Sequence, residues 1–157
     1  MNYTIREMKQ EEYALLSDFL YEAIYIPEGA ELPPRSVVSL PELQEYIVDF
    51  GTRKHDKALA AEIQGQIVGA VWGRIMNDYG HIDDDTPSLA MSVYQDYRGL
   101  GIGTALLKAL LSTLKSQGCP KVSLSVQKEN YAVKMYRTAG FHVVSETEEE
   151  YVMVTDL

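Results

Sequence analysis

Residues 98–104 read Arg98-Gly99-Leu100-Gly101-Ile102-Gly103-Thr104. They follow an apolar run, Ser88 to Val93, that predicts a strand, and they lead into a helix that is predicted to end near Gln117. Five leucines at helical spacing give this helix its buried face: Leu106, Leu107, Leu110, Leu111 and Leu114. A helix start offers free backbone N–H groups and a positive dipole end, and glycines let an anion approach the backbone. The stretch therefore predicts a phosphate-binding loop.

Two common nucleotide loops do not fit this stretch. A Walker A loop needs a lysine after its last glycine, and Gly103 is followed by Thr104. A dinucleotide-binding loop needs a third glycine, which falls on Leu106 when counted from Gly101, and an acidic residue about 20 positions further on, which is absent. The hypothesis of a nucleotide-binding regulatory domain is thus supported only by the glycine content of this stretch.

A second stretch, Asn130-Tyr131-Ala132-Val133-Lys134-Met135-Tyr136-Arg137-Thr138-Ala139-Gly140-Phe141, has the pattern N-x-x-A-x-x-x-Y-x-x-x-G-F. Together with Arg/Gln-x-x-Gly-x-Gly at residues 98–103, it resembles the GNAT superfamily of acyl-CoA-dependent N-acetyltransferases. The two patterns span Ser88 to Phe141, about a third of the chain. The resemblance implies acetyl-CoA as cosubstrate, no metal, and pyrophosphate binding by the loop residues: Arg98, Gly99, Leu100, Gly101, Ile102, Gly103 and Thr104.

The resemblance also implies roles outside the loop. Backbone groups around Val93 would hold the pantetheine arm, and the Val93 N–H would stabilise the oxyanion of the tetrahedral intermediate. The strand that ends at Val93 is expected to be locally bulged and to splay from the fifth strand, which leaves room for the thioester. Asn130 would hydrogen-bond the cofactor arm, and Tyr136 would be the general acid for the departing thiolate. A half-buried core tyrosine is the alternative for Tyr136, and Asn130 would also cap its helix.

No general base is assigned by the sequence. Ribosomal-protein N-terminal acetyltransferases of this superfamily place a glutamate five residues before the motif asparagine, and Ser125 stands there. This difference weighs against N-terminal acetylation of that type. Substitutes remain open, including a relay through water, and the candidate residues are Asp83, Asp84, Asp85, Glu62 and the loop from Tyr25 to Glu28.

The charge and the cysteine and histidine content of the chain indicate which kinds of binding partner to expect. Fourteen Lys and Arg against 23 Asp and Glu give a net charge of −9, which argues against nucleic acid and is compatible with a cationic amine. Cys119 is the only cysteine, and His55, His81 and His142 lie far apart, so neither a disulfide nor a metal site is expected. No apolar run reaches about 18 residues, so we expect no membrane partner and a cytoplasmic location.

Hydrophobic periodicity predicts a single α/β (α+β) domain over residues 1–157. The intermixed strands, helices and hairpins predict a mixed sheet. The resemblance to the GNAT superfamily implies that this sheet is mainly antiparallel and twisted, with helices on both faces. The predicted strands are residues 3–8, a hairpin of 58–63 and 67–75, 88–93, 122–126, and a closing hairpin of 142–144 and 151–155. Two further helices are predicted at Gln10 to Ile24 and Ser39 to Phe50, and a short one is capped by Asn130.

Several functions fit these residues. Direct transfer in a ternary complex is expected, because no cysteine or serine has a nucleophile-and-base arrangement. The favoured hypothesis for the acceptor is a small primary amine such as a polyamine, an aminoglycoside-like compound or an amino acid. The second hypothesis is a peptide or protein amine. The acceptor pocket is expected between Tyr25–Pro34 and Asn77–Pro87, with Trp72 and Tyr79 as wall residues or, for Trp72, as sheet packing. A non-catalytic acyl-CoA-binding module is the alternative, and a homodimer is compatible with the sequence.

Overall fold

A computed structural model describes residues 2–76 and 81–157 of the chain. Four α-helices lie within these residues: α1 (Leu16–Glu22), α2 (Pro41–Gln44), α3 (Ile102–Ser116) and α4 (Ala132–Thr138). The strands are β1 (Thr4–Glu7), β2 (Lys57–Ile63), β3 (Gln66–Arg74), β4 (Ser88–Val93), β5 (Lys121–Gln127), β6 (His142–Glu146) and β7 (Glu150–Asp156).

The seven described strands form one sheet in the order β1-β2-β3-β4-β5-β7-β6. Every neighbouring pair is antiparallel except β4 and β5, which are parallel. The predicted β2–β3 hairpin is present, and its turn residues Gln64 and Gly65 have φ of 50° and 81°, as a two-residue hairpin turn requires. The mixed, mainly antiparallel sheet predicted from the sequence is confirmed.

The sheet separates two apolar cores, because successive strand residues point to opposite faces. In β2, Leu59 and Ala61 pack with the leucines of α3, whereas Ala58 and Ala60 pack with Leu16, Phe19 and Leu20 of α1. Helices α3 and α4 therefore cover one face and α1 covers the other, as predicted.

Two predicted helices are wrong in extent. Residues Gln10–Leu15 are a 3₁₀-helix, and only Leu16–Glu22 continue as α-helix. In the predicted helix from Ser39 to Phe50, only Pro41–Gln44 are α-helical, and turns follow. The local reason is visible in the backbone carbonyls of Glu45 and Val48, which accept from the Arg74 guanidinium at 3.2 and 2.6 Å instead of from a helical N–H.

Arg74 is a buried charge that organises this segment. Its side chain is fully buried and donates two hydrogen bonds to the Asp56 carboxylate, at 3.0 and 2.9 Å. Asp56 also accepts the backbone N–H groups of Gly51 and Arg53, at 2.9 and 3.1 Å. All of these polar groups are thus paired, as a buried ion pair requires.

Candidate active site

A gap opens in the sheet between β4 and β5. The two strands pair only at Ser88 and Ser123, where the Ser123 N–H donates to the Pro87 carbonyl at 2.9 Å. Beyond this point β5 pairs with β7 alone. The predicted splaying of the two strands is confirmed. The predicted local bulge in β4 is wrong, because β4 pairs with β3 in unbroken register from Ser88 to Val93; the irregularity lies in the β2–β3 pairing, where Val68 of β3 is the extra residue opposite Ala61 and Glu62.

The backbone of β4 shows which groups line the gap. The Tyr94 N–H donates to Val68 of β3 at 2.9 Å, whereas the Pro87 carbonyl faces β5. Backbone direction alternates along an antiparallel pair, so the odd-numbered residues direct their N–H and C=O groups toward β5. Met91 and Val93 therefore present backbone groups to the gap, where no strand of the described chain pairs with them. The sequence identified Val93; Met91 emerges only from the register.

The Arg98 side chain contacts the C-terminal end of β4. Its Nε donates to the Val93 carbonyl at 2.8 Å, and its guanidinium lies 3.8 Å from the carboxylate of Glu22 at the end of α1. The sequence predicted a pyrophosphate contact for Arg98, whereas the side chain is here engaged with β4 and α1. Glu22 was missed by the sequence analysis, because its link to Arg98 joins elements 76 positions apart and has no local pattern.

The glycine-rich loop leads into α3 with its backbone groups open. Gly99 and Gly101 have φ of 79° and 82°, a region that disfavours side chains, and a Cβ on either would meet nothing within 4 Å. Gly101 precedes the first turn of α3, which has no side-chain cap and no acidic residue. The first intrahelical bond runs from Ala105 N–H to the Gly101 carbonyl, which leaves the N–H groups of Ile102, Gly103 and Thr104 available to an anion.

Gly103 brings the two sequence patterns together in space. A Cβ on Gly103 would lie 3.6 Å from the Met135 sulfur of α4 and 3.9 Å from Met91 Cε of β4. The start of α3, the gap-lining strand and α4 thus meet at one place. The glycine-rich loop, the open strand groups and α4 are therefore adjacent.

Asn130 and Tyr136 define the α4 side. Asn130 Oδ1 accepts the Ala132 N–H at 2.9 Å, which confirms the predicted cap and leaves the amide nitrogen as a donor. Tyr136 is 7% exposed and packs edge-on against Phe141, with ring centroids 5.7 Å apart. Among the described residues no group hydrogen-bonds its hydroxyl. Burial, with a smaller contribution from Tyr131, raises the pKa of Tyr136 above its usual value, so the phenol is neutral at physiological pH.

Two of the acidic residues considered as general bases, Glu62 and Asp83, lie away from the open end of the gap. Glu62 is held by Arg6, at 3.3 Å, and lies on β2, two strands away from the gap. Asp83 accepts from Thr86 and Asp85 and pairs with Lys121 at 3.6 Å. It precedes β4, whose length places the strand start about 17 Å from Val93. Hydrogen bonds, chiefly from the Thr86 hydroxyl, lower the pKa of Asp83, which weakens it further as a base.

The acceptor-side residues are only partly described. Trp72 is 1% exposed and donates to the Tyr46 carbonyl at 3.2 Å, so it is sheet packing and not a pocket wall. Tyr79 and the start of the predicted Asn77–Pro87 loop lie outside the described residues. On the α1 face, an open depression of about 410 Å³ lies beside the β2–β3 turn, with Phe19, Ile67 and Tyr94 in its lining.

A search against protein-family models gives the class of this protein. Residues 19–141 match the acetyltransferase (GNAT) family, which is most of the chain. The chain therefore belongs to the GNAT acetyltransferase family. An acetyltransferase of Pectobacterium atrosepticum is 37% identical over 90 residues, which are 57% of this chain and 60% of that protein. The chain thus aligns with less than two thirds of the length of this relative.

Solved structures share the whole fold. The PaiA N-acetyltransferase from Thermoplasma acidophilum, solved in complex with coenzyme A, has a TM-score of 0.72, 21% identity and complete coverage of both chains. A ribosomal-protein-S18-alanine N-acetyltransferase from Escherichia coli has a TM-score of 0.68 and 16% identity, and covers 99% of this chain and 94% of its own. Within residues 2–76 and 81–157, no three or more His, Cys, Asp or Glu side chains form a group that could hold a metal ion, and no helix is long and apolar enough to cross a membrane.

Proposed function

We propose that this protein is an acetyl-CoA-dependent N-acetyltransferase that acetylates a primary amine by direct transfer in a ternary complex. The observation that carries the proposal is the gap beside Met91 and Val93, whose open backbone groups lie next to an uncapped helix start. Unpaired strand groups bind an extended amide-containing chain, and the helix start binds its phosphates. The pantetheine arm and pyrophosphate of coenzyme A have this combination of groups.

Residues of this chain would hold the donor at both ends. The N–H groups of Ile102, Gly103 and Thr104 suit the pyrophosphate, and the positive φ of Gly99 and Gly101 directs the loop backbone around it. The open backbone groups of Met91, beside Val93, suit the pantetheine amides, with the Asn130 amide nitrogen as a further donor. Acetyl-CoA supplies the acetyl group as a thioester, and the carbon of its carbonyl is the atom that the amine attacks.

Two groups would then act on the reacting atoms. The Val93 N–H donates to the carbonyl oxygen as it becomes negative, which lowers the barrier to attack. As the carbon–sulfur bond breaks, the Tyr136 hydroxyl donates to the thiolate. An ordinary tyrosine has a pKa about 1.5 above that of a thiol, so full proton transfer is uphill by about 2 kcal/mol. Burial of Tyr136 makes it more uphill, so we expect a strong hydrogen bond with partial transfer in the transition state.

The acceptor is best described as a small cationic amine. Residues 10–34, which include α1 and the following loop, carry six acidic residues and no Lys, Arg or His; three of the six, Glu12, Asp18 and Glu22, pair with arginines outside the segment. This segment lies on the face opposite α3. Acetyl-CoA bound beside α3 would therefore not cover it, and the acceptor amine could bind there. Ser125, half-buried on β5, provides no carboxylate base, which weighs against N-terminal acetylation of the ribosomal-protein type. A cytoplasmic location and a homodimer remain predictions.

Thermal unfolding with acetyl-CoA, CoA, NAD and ATP in parallel tests the donor site. A ligand at 100 times its Kd stabilises by about 2.7 kcal/mol, which raises Tm by roughly 5–10 °C for a chain of this size. We expect a rise with acetyl-CoA and CoA only. A rise with NAD or ATP alone, or with none of the four, would overturn the donor assignment.

Thiol release from acetyl-CoA over a panel of polyamines, amino acids, aminoglycosides and peptide amines tests the transfer. We expect release that depends on a small amine. Binding of acetyl-CoA without release for any amine would instead support a non-catalytic acyl-CoA-binding module, and release with peptides alone would reassign the acceptor.

A further inference from the structure

The Arg98 side chain lies on the gap side of β4. The backbone groups of the odd-numbered residues of β4 face β5, and the Val93 carbonyl is one of them. Arg98 Nε donates to this carbonyl at 2.8 Å. The guanidinium therefore occupies the position in which a neighbouring strand would have placed an N–H donor. The next peptide N–H, that of Tyr94, is held on the other side by Val68 at 2.9 Å. The strand end is thus fixed from both sides, while the Val93 N–H stays open.

The same guanidinium contacts the opposite face of the sheet. It lies 3.8 Å from the Glu22 carboxylate, on the last residue of α1. Ser92 adds a second link, since its hydroxyl donates to the Phe19 carbonyl at 2.6 Å. Arg98 consequently joins three parts of the molecule: the open strand end, the glycine-rich loop that it begins, and the helix on the acceptor face.

We propose that Arg98 is a positioning residue, which fixes the backbone at Val93, and with it the direction of the Val93 N–H for oxyanion stabilisation, through its bond to the Val93 carbonyl, and that its side chain does not serve as a pyrophosphate ligand. The proposal rests on the proposed function.

Two acetyl donors distinguish a positioning role of Arg98 from a role in pyrophosphate binding. Acetyl-CoA carries the pyrophosphate, and S-acetylpantetheine lacks it but keeps the pantetheine amides and the thioester. We expect Arg98→Ala to lower kcat by about 10–100-fold with both donors, because a misplaced oxyanion donor costs that much. The Kd for CoA should change less than about threefold. Arg98→Gln should recover most of the lost kcat, since its amide can donate to the same carbonyl.

Arg53→Ala is the matched control. Arg53 likewise joins a carboxylate, Glu45 at 2.8 Å, to a backbone carbonyl, Ile75 at 3.3 Å, and neither partner is on β4. We expect this variant to keep the wild-type kcat with both donors. Equal loss of kcat in the two alanine variants would reduce Arg98 to a general structural role and overturn the proposal.

Amide hydrogen exchange of the ligand-free protein gives a readout that needs no turnover. Loss of the Arg98 link should speed exchange at Tyr94 at least about tenfold in Arg98→Ala and leave it unchanged in Arg53→Ala. Unchanged exchange at Tyr94, or a loss of CoA affinity that accounts for the lost activity and disappears with S-acetylpantetheine, would overturn the positioning role. A wild-type protein that binds CoA but transfers no acetyl group would instead overturn the proposed function.

Discussion

Gly103 in the first turn of α3 faces Met135 of α4 at a distance that leaves room for a methyl group and little more. A Cβ on Gly103 would lie 3.6 Å from the Met135 sulfur, which is ordinary van der Waals contact. Protein packing alone therefore does not require glycine here. The lack of a side chain instead lets an anion approach the Gly103 N–H closely, as the proposed pyrophosphate site requires.

Gly103→Ala should accordingly separate folding from donor binding. Alanine in a helix is up to about 1 kcal/mol more favourable than glycine, so the variant should be as stable as the wild type or slightly more stable. We expect its Kd for CoA to rise about tenfold, because the methyl group crowds the phosphate. Calorimetric titration and thermal unfolding measure the two effects.

Gly101→Ala is the contrasting variant. Gly101 has φ of 82°, and an L-residue there costs about 1 kcal/mol even though a Cβ would meet no atom within 4 Å. We expect a lower Tm for this variant. A Gly103→Ala protein with wild-type CoA affinity would contradict the assignment of the loop.

Tyr136→Phe should lower turnover without weakening the fold. No described group bonds the hydroxyl, so its removal leaves no partner unpaired. We expect kcat to fall about 100-fold, the range of a lost general acid, with little change in KM for acetyl-CoA. Tyr131→Phe, on an exposed ring just before α4, should keep wild-type kcat. Equal turnover in wild type and Tyr136→Phe would exclude Tyr136 as the acid.

The pH dependence of turnover offers a second test of Tyr136. The neutral phenol is the active form, and burial raises its pKa above the usual value of about 10. The active form therefore persists to higher pH than for an exposed tyrosine. Between pH 7 and pH 10, kcat of the wild type should not fall through ionisation of Tyr136. An alkaline loss below pH 10 that is present in the wild type and missing in Tyr136→Phe would contradict the raised pKa, although it would still assign the acid to Tyr136.

Asp56→Asn should strongly destabilise the protein. It leaves the fully buried Arg74 without its charge partner, which costs about 3–5 kcal/mol. The expected fall in Tm is about 10 °C or more. Asp18→Asn, in the exposed pair with Arg35, should have no measurable effect. Because the Arg74 network lies away from the gap, CoA affinity at low temperature should be retained in both variants; a Tm unchanged by Asp56→Asn would show that the buried pair is not needed for stability.

Glu12 should make stability depend on acid pH. Hydrogen bonds from Arg6, and then from the Lys9 N–H, lower the pKa of Glu12 to about 2. A lowered pKa means that the carboxylate stabilises the fold above its unfolded pKa of about 4.5 and that this contribution is lost as the pH falls toward 2. In urea unfolding, Glu12→Gln should be about 1 kcal/mol less stable than wild type at pH 7. The difference should shrink between pH 4.5 and pH 2, whereas Glu11→Gln should match wild type throughout.

The sequence predicted those features that depend on local patterns. Apolar runs placed β2, β3 and β4, alternation placed β1 and β5, the leucine spacing placed α3, and the asparagine at position 130 was correctly identified as a cap. The turns after Gln44 were not predictable, because the buried Arg74 draws the carbonyls of Glu45 and Val48 away from helical bonding. The link from Arg98 to Glu22 also escaped prediction, since it depends on how α1 crosses the end of β4.

The single pairing of β4 with β5 gives the sheet an internal edge. Backbone groups of Met91 and Val93 are donors and acceptors without a neighbouring strand, in the middle of an otherwise paired sheet. Any molecule that supplies a line of amides along this edge completes the hydrogen bonding and couples the two halves of the sheet. Binding of acetyl-CoA in this gap and the rigidity of the sheet are therefore thermodynamically linked. The bound cosubstrate is expected to fill the place of an eighth strand.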